Sequence, residues 1–141
     1  ITKDGPKVIE YNARFGDPET QVVLPRLKSD LLEIMMAVRN ECLADVDIKW
    51  SDEAAACVVM ASGGYPEKYE KGIEMTGLNE NGQIEGATVY HAGNGKFYTN
   101  GGRVLGVTAT DTTLEGALKK AYDAVSKIHF EGAHYRTDIG K

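Results

Sequence analysis

Apolar and polar residues alternate strictly from Lys7 to Phe15. Ile9, Tyr11, Ala13 and Phe15 form one row, and Val8, Glu10, Asn12 and Arg14 form the other. Side chains two apart share a face of a strand, so the pattern predicts a strand with one core-facing row. Gly16-Asp17-Pro18-Glu19 ends it, because Gly loosens the backbone while Pro fixes φ and donates no hydrogen bond. A three-and-four spacing follows at Leu27, Leu31, Ile34, Met35 and Val38. It predicts an amphipathic helix over 30–43, capped by Asp30, with Glu33 completing a capping box. On that pattern Met35 and Met36 fill core space.

Residues 44–53 (ADVDIKWSDE) are polar and acidic around a single Trp, and form the best domain boundary in the chain. The expected division is 1–47 and 48–141. Beyond it, AAACVVMASGGYP is a short apolar run stopped by Gly63-Gly64 and Pro66, the pattern of a buried strand. KGIEMTGL, ATVYHAG, KFYTN and GGRVLGVTAT follow as short strands of a small antiparallel, barrel-like sheet. Asn100-Gly101, between KFYT and RVLGV, predicts a hairpin. A last helix is expected over 113–129, with Thr112 and Glu115 as capping box and Leu114, Leu118, Ala121, Val125 and Ile128 as its apolar stripe. The fold class expected is α+β: a strand and helix, then a small antiparallel sheet with a packed helix.

Composition adds little to this picture. The chain has 141 residues and a net charge of −5, so it is not built to coat nucleic acid or an anionic membrane. A phosphate-bearing ligand would need a local cluster of donors. Cys42 and Cys57 are far apart and carry no CxxC spacing, which fits a reducing, cytoplasmic setting rather than a disulfide framework or a zinc site. No apolar run is long enough to span a bilayer, and no signal peptide is visible. With no initiator Met and a strand almost at once, the sequence reads as a piece of a longer chain.

Chemistry concentrates near the start. On a strand Glu10 and Asn12 point the same way, with roughly 7 Å between their Cα atoms. Both offer the oxygen ligands that Mg²⁺ prefers, and Mg²⁺ is usually held by one or two carboxylates plus substrate phosphates. Arg14, on the same face, suits a phosphate or carboxylate in a bidentate pose. The plainer reading is a half-solvated strand whose outer row is polar, with Glu10 and Arg14 balancing each other. Asp17 and Glu19 have their own plain reading as turn residues. The loops Gly63-Gly64-Tyr65-Pro66 and Asn100-Gly101-Gly102-Arg103 lack the P-loop pattern and read first as turns, with Arg103 in reach of an anion. His91, His129 and His134 are scattered, support no catalytic triad, and read as structural or surface residues.

RFGDPETQ (14–21) resembles the signature of the phosphoribosylamine–glycine ligase (glycinamide ribonucleotide synthetase) family of the ATP-grasp superfamily. VIEYNARFGDPETQ, LKSDLLE, VVMASGGYP, HAG, TNGGRVLGVTA and YRTDIG occur in the family's order and cover nearly all of the chain. The resemblance implies that residues 1–47 end an ATP-grasp domain and that 48–141 form the family's C-terminal domain. It implies Glu10 and Asn12 as ligands of Mg²⁺ (or Mn²⁺), Arg14 as a catalytic and substrate-binding residue, and Asp17 and Arg103 as substrate contacts. The implied reaction joins glycine to 5-phosphoribosylamine with ATP as co-substrate, through a glycyl phosphate, in purine biosynthesis. The remainder of the ATP-grasp chain is the implied partner, and this stretch by itself is expected to be inactive. Two other readings stay open: another ATP-grasp carboxylate–amine ligase, against which GDPETQ and TNGGR argue, and a noncatalytic docking module. Metal titration separates the module from an enzyme, because a module is indifferent to Glu10 and Asn12.

Overall fold

The computed structural model describes residues 1–93 and 97–141. The expected strand KFYTN begins on Lys96, which lies outside the described residues. Three strands form one antiparallel sheet: β1 (Ala54–Ala61), β2 (Thr88–His91) and β3 (Arg103–Asp111), in the order β1-β3-β2. β3 is thus hydrogen-bonded along both edges, and its run Val104–Ala109 is buried throughout. Register pairs Val58 with Val107 and Met60 with Leu105 across β1, and Val89 with Val107 across β2. These side chains share one face. Helix α3 (Leu114–Val125) packs there and completes the core with Ala121, Ala124 and Val125, and with Ile128 just beyond it. Each Val, Leu, Ile or Met among these contributes about 1.5–3 kcal/mol when fully buried.

The opposite face carries Cys57, Val59, Tyr90 and Gly106, placed by the same alternation. Over it lies the short helix α1 (Thr20–Val23), which touches β1 and β3. The chain is tied down again where Lys28 N–H donates to Lys49 O (2.9 Å) and Ser51 N–H to Arg26 O (2.7 Å). Between these points runs α2 (Leu31–Arg39). Asp30 caps it, accepting from the backbone N–H of Leu32 (2.7 Å) and Glu33 (3.4 Å). The helix closes in a Schellman turn: Cys42 N–H reaches Ala37 O and Glu41 N–H reaches Val38 O, with Glu41 at φ 59°.

The α+β class and the small antiparallel sheet with its packed helix are as expected, but five local expectations are corrected, among them KGIEMTGL, which is not a strand. Residues 7–15 are not a strand: Val8, Ile9 and Tyr11 are 67%, 98% and 87% exposed. A strand is held by its ladder to a neighbour, and among the described residues that segment has none. For the same reason Met35 and Met36 do not fill core; no described residue covers their face of α2, and they stay 54% and 43% exposed.

The hairpin at Asn100-Gly101 does not form. Residues 97–99 bond to 72–75 instead, through Gly72 N–H to Thr99 O, Thr99 N–H to Ile73 O and Met75 N–H to Phe97 O. Both edges of β3 are already taken by β1 and β2, so no edge is left for a hairpin strand. Around KGIEMTGL only isolated bridges occur, from Glu74 to Tyr98 and from Thr76 to His129.

Finally, Thr113 rather than Thr112 caps α3. Its hydroxyl accepts from Gly116 N–H at 3.0 Å, while the Thr112 hydroxyl donates to Asp111 Oδ1 at 3.0 Å. Among the described residues no helix is long and apolar enough to cross a membrane.

Candidate functional site

Asp17 and Arg103 stand 86 positions apart in sequence and meet at the start of β3. Arg103 Nη2 lies 3.1 Å from Asp17 Oδ2, and Arg103 Nη1 donates to the Asp17 backbone carbonyl at 2.9 Å. Both side chains are partly solvent-exposed, so the pair contributes at most about 1 kcal/mol to stability. Its effect is placement: it fixes the turn before α1 against the sheet. The turn is shaped locally as well. Gly16 O accepts from Thr20 N–H (2.9 Å) and from the Thr20 hydroxyl (2.7 Å), and Gly16 N–H donates to Glu19 Oε2 (3.0 Å).

Arg103 is held from the other side by Ser62, which is fully buried just past β1. Ser62 N–H donates to Gly102 O and its hydroxyl to Gly101 O, both at 2.8 Å. Tyr65 lies so close over Gly102 that any Cβ there would collide with its ring. The two Gly-rich loops are therefore one packed unit, and Gly102 is Gly because an aromatic ring occupies the side-chain position.

A cavity of about 170 Å³ opens beside the ion pair, lined among others by Gln21, Tyr90, His91 and Gly106. A neighbouring hollow of about 410 Å³ shares Asp17, Gln21, Tyr90 and His91 and adds Thr20 and Leu24. Gly106 gives the space: a Cβ there would sit 3.3 Å from Cys57 Sγ and 3.8 Å from Tyr90 Cβ. Gln21 donates its amide N–H to Asp17 Oδ1 at 2.8 Å. His91 Nε2 lies 2.8 Å from Gly82 O. A carbonyl only accepts, so Nε2 carries a proton. Burial pushes both the Tyr90 phenol and the Cys57 thiol above their ordinary values; for Cys57 the neighbouring Thr108 hydroxyl opposes this and the Asp17 charge adds to it. Cys57 is thus a protonated, unreactive thiol at neutral pH.

The other sequence candidates lie apart from this cavity. Asn12 and Arg14 share an open hollow of about 410 Å³ with Glu19, and Arg14 donates to the carbonyl of its neighbour Phe15 at 3.2 Å. Glu10 lies on the exposed 7–15 segment and lines neither hollow. Among the described residues no three His, Cys, Asp or Glu side chains come together as a metal-binding group. Glu10 and Asn12 offer two hard oxygen donors, which suits a cation whose other ligands are phosphate oxygens.

Sequence reasoning missed Gln21, Ser62 and His91. Gln21 had a signal: it closes the octapeptide, four residues after Asp17, where a helical turn brings side chains together. Ser62 and His91 lie in the quoted blocks VVMASGGYP and HAG, but their roles depend on long-range contacts that the blocks do not show.

Residues 55–141 match the family described as Phosphoribosylglycinamide synthetase, C domain. A phosphoribosylamine–glycine ligase of Caldanaerobacter subterraneus is 50% identical over 143 residues, covering 99% of this chain and 34% of that protein. The trifunctional purine biosynthetic protein adenosine-3 of Gallus gallus is 54% identical over 145 residues, covering 99% of this chain and 14% of that protein. The crystal structure of a Thermotoga maritima phosphoribosylamine–glycine ligase superposes with a TM-score of 0.71 at 36% identity, over 96% of this chain and 34% of that one. The chain spans about a third of the length of the single-function ligases it matches.

Proposed function

The chain belongs to the phosphoribosylglycinamide synthetase C-domain family, and from that premise we propose that it is the C-terminal part of an ATP-dependent ligase joining glycine to 5-phosphoribosylamine. One observation carries the reading. The likeness to the named ligases runs over 99% of the chain, so it takes in residues 1–54 as well as the matched C domain. That added stretch contains RFGDPETQ and the Glu10-x-Asn12-x-Arg14 row. In this reading 1–47 complete an ATP-grasp domain, 48–141 form the C-terminal domain, and the enzyme works in the cytoplasm.

The reaction needs no side-chain nucleophile. The carboxylate of glycine takes the γ-phosphoryl group of ATP, giving glycyl phosphate and ADP. The amine of phosphoribosylamine then attacks the acyl carbon and expels phosphate, giving glycinamide ribonucleotide. Catalysis of this kind is positioning and charge neutralisation. Glu10 and Asn12 would hold Mg²⁺ or Mn²⁺, which when bound offsets charge on the phosphates. Arg14 supplies a guanidinium to the transferring phosphoryl or the acceptor. Asp17 and Arg103, locked to each other, form a wall of the substrate pocket. The lysines and further ligands for ATP would belong to other parts of the ligase, so residues 1–141 alone are expected to be inactive.

The deciding measurement uses the whole ligase carrying this chain. ADP release dependent on both glycine and phosphoribosylamine is followed across a Mg²⁺ titration for Glu10→Ala and Asn12→Ala. The expected outcome is a loss of at least about a hundredfold in kcat with folding intact. Near-normal turnover at ordinary Mg²⁺ removes the metal assignment and favours the docking module, which is indifferent to Glu10 and Asn12.

A further inference from the structure

Strict alternation along β3 would put Arg103 on the α3 face of the sheet, with Leu105 and Val107. The register slips there instead: Met60 pairs with Leu105, but Ala61 pairs with Arg103. A bulge of this kind re-aims a side chain, and Arg103 reaches the turn before α1. Its guanidinium grips two acceptors at once. Nη1 donates to the Asp17 backbone carbonyl at 2.9 Å, and Nη2 lies 3.1 Å from Asp17 Oδ2. Gln21 donates to the remaining oxygen, Oδ1, at 2.8 Å. Every oxygen of Asp17 is thus engaged within the protein.

An exposed ion pair adds little to stability. This one holds main chain as well as side chain, so what it fixes is position. The turn it holds is itself stiff, since Gly16 O accepts from both the N–H and the hydroxyl of Thr20. Just before the turn come Arg14, Asn12 and Glu10, on a segment whose Val8, Ile9 and Tyr11 are exposed. The turn is the root of that segment, and Arg103 ties it to β3. Arg103 is anchored in its own loop by Gly101 and Gly102, whose carbonyls accept from the buried Ser62. A rigid corner of the sheet is therefore joined, through one guanidinium, to the root of the polar row.

We propose that Arg103 is a positioning residue for the transfer chemistry: by clamping the carbonyl and carboxylate of Asp17, it sets where Arg14, three residues earlier, meets the reacting groups. This role rests on the proposed ligase reaction. Misplacing a group by about 1 Å can cost about a hundredfold in rate, so a contact worth little in stability can still control kcat. The effect of Arg103 on the reaction passes through Asp17, and the two residues act as one unit.

The test is a double-substitution cycle on the whole ligase, reading kcat and KM for ATP, glycine and phosphoribosylamine. Arg103→Met is expected to lower kcat about tenfold to a hundredfold, with each KM within about twofold and the unfolding midpoint little changed. A purely structural contact would do the reverse, lowering the midpoint and sparing kcat. Asp17→Ala is expected to add little further loss in the Arg103→Met background, because the clamp is already open. Asp17→Asn keeps the backbone carbonyl and an accepting side-chain oxygen, and is expected to lose less than Arg103→Met. Arg103→Lys puts one ammonium in place of a planar fork, and is expected to restore only part of the rate. Losses that multiply in the double variant overturn the proposal, as does a raised KM for glycine or phosphoribosylamine at unchanged kcat. A greater loss in Asp17→Asn than in Arg103→Met also overturns it, by making the carboxylate a direct participant. Absence of product with the unsubstituted ligase removes the reaction and this role with it, whereas normal kcat in Arg103→Met removes the positioning role alone.

Discussion

At the scale of single residues, Glu41 sits where the chain needs a left-handed conformation to finish the Schellman turn of α2, at φ 59°. An L side chain there costs about 1–2 kcal/mol relative to a residue without a Cβ. Glu41→Gly is therefore expected to raise stability by about 1 kcal/mol, read as a shift in the midpoint of urea unfolding. Asp111 shows the opposite economy. Its carboxyl is held down to about 2, first by the hydrogen bond from Lys120 and then by that from Thr112, with the Lys120 ammonium 2.7 Å away. A carboxyl depressed in the folded state favours folding above its ordinary value of 3.8, and the benefit is lost as pH falls towards 2. Lys120→Met should return the Asp111 titration, followed by carboxyl NMR, towards the ordinary carboxylate range and lessen that pH dependence, with the Thr112 hydrogen bond still in place. An unchanged midpoint would mean that Lys120 is not the cause.

At the scale of elements, the loop Asn100–Arg103 is organised by Ser62 and Tyr65 rather than by a hairpin. Ser62→Ala leaves the buried side of Gly101 O without its donor, and is expected to cost about 2 kcal/mol of stability. Thermal unfolding reads this directly, and a change below a few tenths of a kcal/mol would show that Ser62 does not hold the loop. The sequence marked β1, β2, β3 and both long helices within a few residues, because apolar periodicity and caps such as Asp30 are local signals. It mislaid the partner of residues 97–99. Asn-Gly is a strong hairpin signal only where the next strand has an open edge, and edge occupancy is a property of the whole sheet. The N-cap of α3 slipped by one residue because Thr112 and Thr113 carry the same chemistry, and only backbone geometry separates them.

At the scale of the whole molecule, the chain divides into a part that buries its apolar surface and a part that does not. Around β3 the two faces of the sheet are covered by α3 and by α1. Along residues 7–15 and on α2, Ile9, Tyr11, Leu32, Met35 and Val38 remain exposed. Large exposed apolar surface marks a place of contact, and in the proposed ligase that contact would fall to the rest of its chain. The candidate site was legible to the same degree. Asp17 and Arg103 stood out as charged residues beside Gly-rich turns, and the fold joins them. The Glu10, Asn12 and Arg14 row was read on the premise of a strand, and without a neighbouring strand its shared face is not formed in this chain. Gln21 and His91 became visible only when β2, β3 and α1 were assembled around one cavity.

The sheet order β1-β3-β2 has a bearing on how the protein is made. On the ribosome the chain emerges from its N-terminus, so β1 leaves the exit tunnel well before the strand it pairs with. AAACVVMA, an uncharged run of high strand propensity, must remain unpaired until Asp111 has been synthesised. During that interval its backbone donors and acceptors are open to any other nascent chain. β2 and β3 are nearer in sequence and can pair first, offering β1 a ready edge. The last strand to be translated is thus the one that ends the exposure of the first.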